Sequence, residues 1–206
     1  MNFRDLFSGW CISLSFIFTI PQAYRVVRRN TVEGISVPSQ LQNVSGSILW
    51  VVYGIASSTH LVVLANVVTI CGFGTVVAMQ VRLKAVPLAR ALTVEICVVV
   101  AALVALAISR DVLGAIAVVV GATGIVPQVI RAAKTNHLVG VSVVTFIMVV
   151  VMSASWGFYG VMIKDLYVAL PNVVIVPSAL FISVRAIQSH RRYGSSTTAK
   201  VNSLSN

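Results

Sequence analysis

Trp50 and Asn66 lie 16 residues apart, and Trp156 and Asn172 repeat that spacing. An indole face stacks on the C–H face of a pyranose-like ring, and a carboxamide offers donors and acceptors to hydroxyls. Two such pairs suit an uncharged polyol held by stacking and hydrogen bonding, a task that calls for no metal, nucleophile or cofactor. Ser47 and Ser153 stand three residues before each Trp, and Gly46 and Met152 one turn before it, so all four are candidates for the wall of the same pocket. The unequal volumes of Gly46 and Met152 would then set substrate size. A competing reading assigns Trp50 and Trp156 to an interfacial aromatic belt, the asparagines to helix–helix bonding and the serines to bonds within their own helices.

The elements that must hold these residues are membrane spans. Hydrophobic residues make up 58% of the 206, charged residues only 10%, and mean hydropathy is +0.96. Seven apolar stretches are each long enough to cross a bilayer: Leu6 to Tyr24, Val37 to Ile55, Leu61 to Met79, Ala91 to Ile108, Leu113 to Ile130, Val141 to Met162 and Leu166 to Val184. The first is too long for a signal-peptide core and is expected to remain as a span. The turns fall near Ser58 and Lys164, which puts each Trp and Asn about 12 Å below the surface at about 1.5 Å per residue, near the midplane of a core about 30 Å thick. That depth argues against the belt.

Twelve of the 15 Lys and Arg fall on one side of this arrangement, which by the positive-inside rule predicts an external N-terminus and a cytosolic C-terminus. Short loops and termini point to a multi-pass plasma-membrane protein of the bacterial inner-membrane type. The net charge of +10 sits in small clusters at segment ends, so no nucleic-acid partner is indicated; the partners expected are the lipid bilayer and a small solute, with a homo-oligomer left open. Cys11, Cys71 and Cys97 are odd in number and lie in apolar stretches, where they read as small buried residues rather than disulfides or metal ligands. Neither clustered His nor paired carboxylates supply acid–base chemistry, so an enzyme is not expected.

An offset of 106 residues aligns the chain with itself. It pairs Pro21 with Pro127, Gln22 with Gln128, Asn30 with Asn136, Ser47 with Ser153, Trp50 with Trp156, Tyr53 with Tyr159, Gly54 with Gly160 and Asn66 with Asn172. These residue types are uncommon in hydrocarbon, so the register reflects duplication. The expected fold is an all-α membrane protein of 3+1+3 helices, with a three-helix repeat over 1–85, a linker helix over 86–110, a second repeat over 111–190 and a disordered cytosolic tail over 191–206.

The pairs Pro21–Gln22 and Pro127–Gln128 are expected to end the first helix of each repeat. Proline weakens the helix there, and the Gln amide can satisfy freed backbone groups, which makes a candidate hinge for an inner gate; a simple helix stop is the alternative. Tyr53 and Tyr159, one turn beyond each Trp, are candidates for an outer gate or for interfacial anchors.

The two Pro-Gln motifs, the Trp-x-x-Tyr-Gly ends at Trp50 to Gly54 and Trp156 to Gly160, and the third-helix Asn66 and Asn172 resemble the PQ-loop and SWEET superfamily over most of the chain. The resemblance implies facilitative, bidirectional uniport of mono- or disaccharides by rocking of two bundles, with Trp50, Asn66, Trp156 and Asn172 at the substrate. It also implies paired prolines near the cytosolic helix ends, where Pro38 faces Val144, and an outer latch, for which only the second repeat offers a carboxylate, Asp165. A proton-coupled exporter of amino acids or other metabolites is a rival, but it needs a carboxylate deep in a repeat; Glu95, in the linker, is expected to snorkel to the inner surface. A seven-helix receptor or cargo-sorting protein would not need two equivalent pockets, and a channel would need rings of charge or a carbonyl filter.

Overall fold

Local signals define the helices of each repeat in the same way. Ser36 and Ser142 each accept a bond from the backbone N–H three residues on, opening the second helix of the repeat. That helix closes where Ser58 and Lys164 both turn left-handed at a φ of 57°, with the N–H of Thr59 and of Asp165 returning to the carbonyls of Gly54 and Gly160 at 2.8 and 2.9 Å. The glycines are required by the hairpins: a Cβ on Gly54 would stand 2.8 Å from Val63 Cγ2, and one on Gly160 would stand 2.5 Å from the backbone nitrogen of Ala169.

The computed structural model describes residues 3–138 and 140–202, without the side chains of residues 4, 5 and 194–202. Its helices are α1 (Phe3–Arg29), α2 (Val37–Ala56), α3 (His60–Arg82), α4 (Leu88–Ile108), α5 (Arg110–Thr123), α6 (Val126–Lys134), α7 (Val143–Met162) and α8 (Leu166–Asn202). In the first bundle α3 packs against both α1 and α2; in the second, α8 packs against α5, α6 and α7. The bundles meet through α1 with α7 and α2 with α5, and α4 lies along α2 and α5.

Among the described residues six segments are long and apolar enough to cross a membrane: α1, α3, α4, α5 with α6, α7 and α8. The seventh expected span, α2, has the length but carries Gln40, Gln42, Asn43, Ser45 and Ser47 and falls short in apolarity. It packs against α3, α4 and α5, and of these polar residues Gln40, Ser45 and Ser47 are buried. The protein is therefore a multi-pass membrane protein whose outward apolar side chains, such as Leu92, Ile96, Val100, Leu103 and Val104 of α4, face lipid.

Three expectations about local structure change. The fifth span is broken at Gly124 and Ile125 into α5 and α6, whereas α1 runs unbroken through Pro21 to Arg29, so only the second Pro-Gln pair coincides with a helix break. Cys11 is buried, but Cys71 and Cys97 are exposed on the outside of the bundle, because their helix faces have no protein neighbour. Helix α8 continues to Asn202, so the expected disordered tail over 191–206 begins inside it; residues 203–206 lie outside the described residues.

The packing is uneven along the membrane normal. At the end bearing the α2–α3 and α7–α8 hairpins, one core joins both repeats and the linker: Cys11, Leu49, Tyr53, Val62, Ala102, Leu113, Tyr159 and Val168. At the opposite, basic end the core divides in two, Ala23, Val26, Val76 and Met79 in the first repeat and Ala132, Leu138, Val141, Ile182 and Ala186 in the second. The molecule is welded at the hairpin end and split at the basic end.

Candidate functional site

Between the weld and the split lies a cavity of about 270 Å³. Trp50 and Trp156 reach it from α2 and α7, and Asn66 and Asn172 from α3 and α8; Gly46, Ser47, Met152 and Ser153 line it as well. All eight positions singled out for a common pocket thus border one space.

The repeat symmetry extends to side-chain geometry. Trp50 stands edge-on to Tyr53 at 5.6 Å and 87°, and Trp156 to Tyr159 at 5.6 Å and 83°. Asn66 donates an Nδ2–H to the carbonyl of Val62 at 2.9 Å, and Asn172 does the same to Val168 at 2.9 Å. Each bond commits one N–H of a cavity-lining carboxamide and leaves its Oδ1 and second N–H without a protein partner among the described residues. Among the described residues neither asparagine bonds another helix, which removes the helix-bonding alternative. Ser47 and Ser153 are buried with no hydrogen bond among the described residues, so they are not bonded within their own helices either. The tryptophan with the character of a belt residue is Trp10: it is 47% exposed near the hairpin end and donates Nε1–H to Ser155 Oγ at 3.0 Å.

Above the cavity the hairpin end is shut by contacts between repeats. Tyr53 Oη donates to Asp165, 2.8 Å from Oδ1 and 3.0 Å from Oδ2, and its ring meets Tyr167 edge-on at 5.7 Å. Asp165 Oδ1 also accepts from the N–H groups of Tyr167 and Val168, capping α8, so one carboxylate holds the helix start and the partner repeat together. Tyr159 is buried in the same core. Phe7 packs edge-on against Phe158 at 5.1 Å and adds an α1–α7 contact.

Pro21, Gln22, Pro127 and Gln128 stand away from the cavity, at the divided end. Pro21, Pro127 and Gln128 are exposed and Gln22 is half-buried, and among the described residues neither Gln side chain makes a hydrogen bond. Their amides therefore do not stitch up the backbone groups freed by proline. Glu95 does not snorkel: it faces α2, where Ser45 Oγ donates to its Oε2 at 2.9 Å and its Oε1 is buried without a partner. Among the described residues no group of three or more His, Cys, Asp or Glu comes together.

The residues missed by inspection of the repeat are Gln42 and Asn43, together with Ser15, Thr19 and Thr69, all of which line the cavity. Asn43 was detectable, because it precedes Trp50 by seven residues and so shares its helix face.

Residues 3–63 match the PQ loop repeat family model, and residues 112–184 match the model described as a sugar efflux transporter for intercellular exchange. The "Bidirectional sugar transporter SWEET15" proteins of rice, Oryza sativa subspecies indica and japonica, are each 31% identical over 203 residues, covering 86% of this chain. The chain spans 62% of their length. The "Sugar transporter SemiSWEET" of Escherichia coli (strain UMEA 3162-1) is 35% identical over 65 residues, 32% of this chain and 70% of that protein. These relatives are transporters rather than enzymes. The fold matches a eukaryotic SWEET transporter solved at 3.7 Å resolution, with a TM-score of 0.71 at 13% identity, over 94% of this chain and all of the other. The duplicated Pro-Gln and Trp-x-x-Tyr-Gly signatures, the repeat-related bundles and these matches lead to one assignment: the chain belongs to the SWEET family of PQ-loop membrane proteins.

Proposed function

We propose that this protein is a facilitative, bidirectional sugar uniporter that works by alternating access between two three-helix bundles. The repeats occupy 1–85 and 111–190 with the linker over 86–110, and the basic end faces the cytosol of a bacterial-type plasma membrane. The observation that carries the reading is the shared cavity, lined by two indoles and by two carboxamides that each commit one N–H to their own helix.

The chemistry is that of binding without reaction. Trp50 and Trp156 flank the ring of a monosaccharide or one ring of a disaccharide, while Asn66 and Asn172 exchange hydrogen bonds with its hydroxyls. Because these groups are neutral, the sugar crosses without a compensating ion. With Tyr53 on Asp165 the hairpin end is shut and the divided basic end admits or releases solute. Rocking about the shared core would exchange these conditions, and the α5–α6 break at Gly124 and Ile125 gives the second bundle a place to bend. The proton-coupled rival is disfavoured by Glu95, which bonds Ser45 on the α2–α4 side and is not among the cavity residues.

Uptake of labelled glucose, sucrose and a neutral amino acid into proteoliposomes, with and without a pH gradient, tests the reading. Sugar flux should be independent of the gradient and reduced at least about tenfold by Asn66→Ala or Asn172→Ala, in keeping with about 1.4 kcal/mol for the loss of a hydrogen-bonding amide. Proton-driven amino-acid flux would select the rival, and full sugar flux in both variants would discard the site.

A further inference from the structure

The four central residues obey the repeat, but the cavity wall between them and the basic end does not. The first repeat contributes Thr19, Gln42, Asn43 and Thr69 there. The residues at the same repeat positions in the second copy are Ile125, Met148, Val149 and Ile175, and of these only Ile175 reaches the cavity. The second repeat instead presents Val120, Gly121 and Gly124. The first repeat also adds Phe18 and Phe73, so its side is mixed, but it carries the hydrogen-bonding side chains of this stretch.

Among these first-repeat side chains the hydrogen-bonding capacity is unevenly committed. Thr19 and Thr69 donate their hydroxyls to carbonyls of their own helices, Ser15 at 2.7 Å and Ala65 at 2.9 Å. Gln42 Nε2–H reaches the carbonyl of Val120 at 3.5 Å, leaving Oε1 uncommitted. Asn43 makes no hydrogen bond among the described residues, although it is half-buried and lines the cavity. A carboxamide held there with no protein partner is costly unless solute or water in the cavity meets it.

We propose that Asn43, assisted by Gln42, is a substrate-contacting residue that fixes the orientation of the sugar. The hydroxyl-rich edge faces Gln42 and Asn43 of α2 at the basic side of Trp50, and the less polar face lies toward Ile175 of the second repeat. This inference rests on the carrier reading above and adds a rule of specificity to it. A sugar lacking the hydroxyl read by Asn43 is rejected because it leaves the carboxamide without a partner, whereas removing hydroxyls on the opposite face matters little.

The test is counterflow of labelled glucose in proteoliposomes, competed by a series of glucose analogues that each carry hydrogen in place of one hydroxyl. The variants Gln42→Met and Asn43→Val copy what the second repeat carries at the same helix positions, and Asn43→Ser keeps a polar group should the valine fold poorly. The wild type should discriminate against at least one analogue by about fivefold or more. Asn43→Val should weaken glucose by a similar factor and bring that analogue to within about twofold of it, with Asn43→Ser intermediate. The analogues discriminated by Asn66 should keep their ranking in these variants. Wild-type glucose affinity and an unchanged analogue profile in Asn43→Val, or in Asn43→Ser where only that variant folds, would overturn the inference while leaving the carrier intact. Absence of glucose counterflow in the wild type would remove the carrier reading and this inference with it.

Discussion

Tyr53→Phe should open the hairpin end while leaving nearly everything else in place. The phenol is buried, and its ring packs on Trp50 and Tyr167, contacts that phenylalanine keeps. What disappears is the Oη–H donated to Asp165 at 2.8 and 3.0 Å. Asp165 retains the N–H groups of Tyr167 and Val168, so the start of α8 stays capped. A hydrogen bond to a carboxylate contributes about 1.5–3 kcal/mol. Since it joins the repeats only when the hairpin end is closed, its loss shifts the closed-to-open ratio by roughly tenfold to a hundredfold. Nitroxides at His60→Cys and Leu166→Cys, exposed and equivalent positions at the starts of α3 and α8, report the separation after Cys11, Cys71 and Cys97 are replaced by alanine. Tyr53→Phe should move population to longer distances on that background. A distance distribution identical to that of the parent would refute the assignment of the bond as a latch.

Gly160→Ala should destabilise the protein by about 1–3 kcal/mol, read as a lower midpoint of unfolding in detergent, because the new Cβ meets the backbone of Ala169 in the tightest part of the α7–α8 hairpin. Glu95→Ala should lower the same midpoint by removing the acceptor of Ser45 Oγ, whereas Glu95→Gln keeps an acceptor and should leave both stability and sugar flux close to wild type. Pro127→Ala removes the residue that most opposes a continuous α5–α6 helix and should slow counterflow more than Pro21→Ala does, since α1 is already continuous; equal effects of the two would deny the hinge.

The duplicated architecture was legible because Trp, Asn, Pro and Gly are rare enough in hydrocarbon for their recurrence at one offset to be informative. Depth arithmetic gave Trp50, Asn66, Trp156 and Asn172 one expected level in the membrane, and in the fold all four line one cavity. The break in α5 was not legible from Pro-Gln alone, since the same motif leaves α1 intact. The difference lies three residues earlier, where Gly124 stands opposite Phe18 of the first repeat. Glycine disfavours helix by about 1 kcal/mol relative to alanine, and with Pro127 following it the ladder parts.

Gln42 and Asn43 were overlooked for the converse reason: they have no counterparts in the second repeat, and a search for symmetry passes over what is asymmetric. Asp165 was identified as the carboxylate of an asymmetric latch, but its partner on another helix 112 residues away required the folded chain. The placement of Glu95 turned on its helix face, since Ser45 offers a hydrogen bond that the inner surface would otherwise have supplied.

Intrinsic fluorescence gives the most direct view of the site, because Trp10→Phe leaves Trp50 and Trp156 as the remaining indoles of the chain. Titration of that protein with glucose should give a saturable change that is lost on adding Asn66→Ala or Asn172→Ala. A signal that never saturates, or one that persists undiminished in both asparagine variants, would contradict the claim that these four side chains hold the sugar.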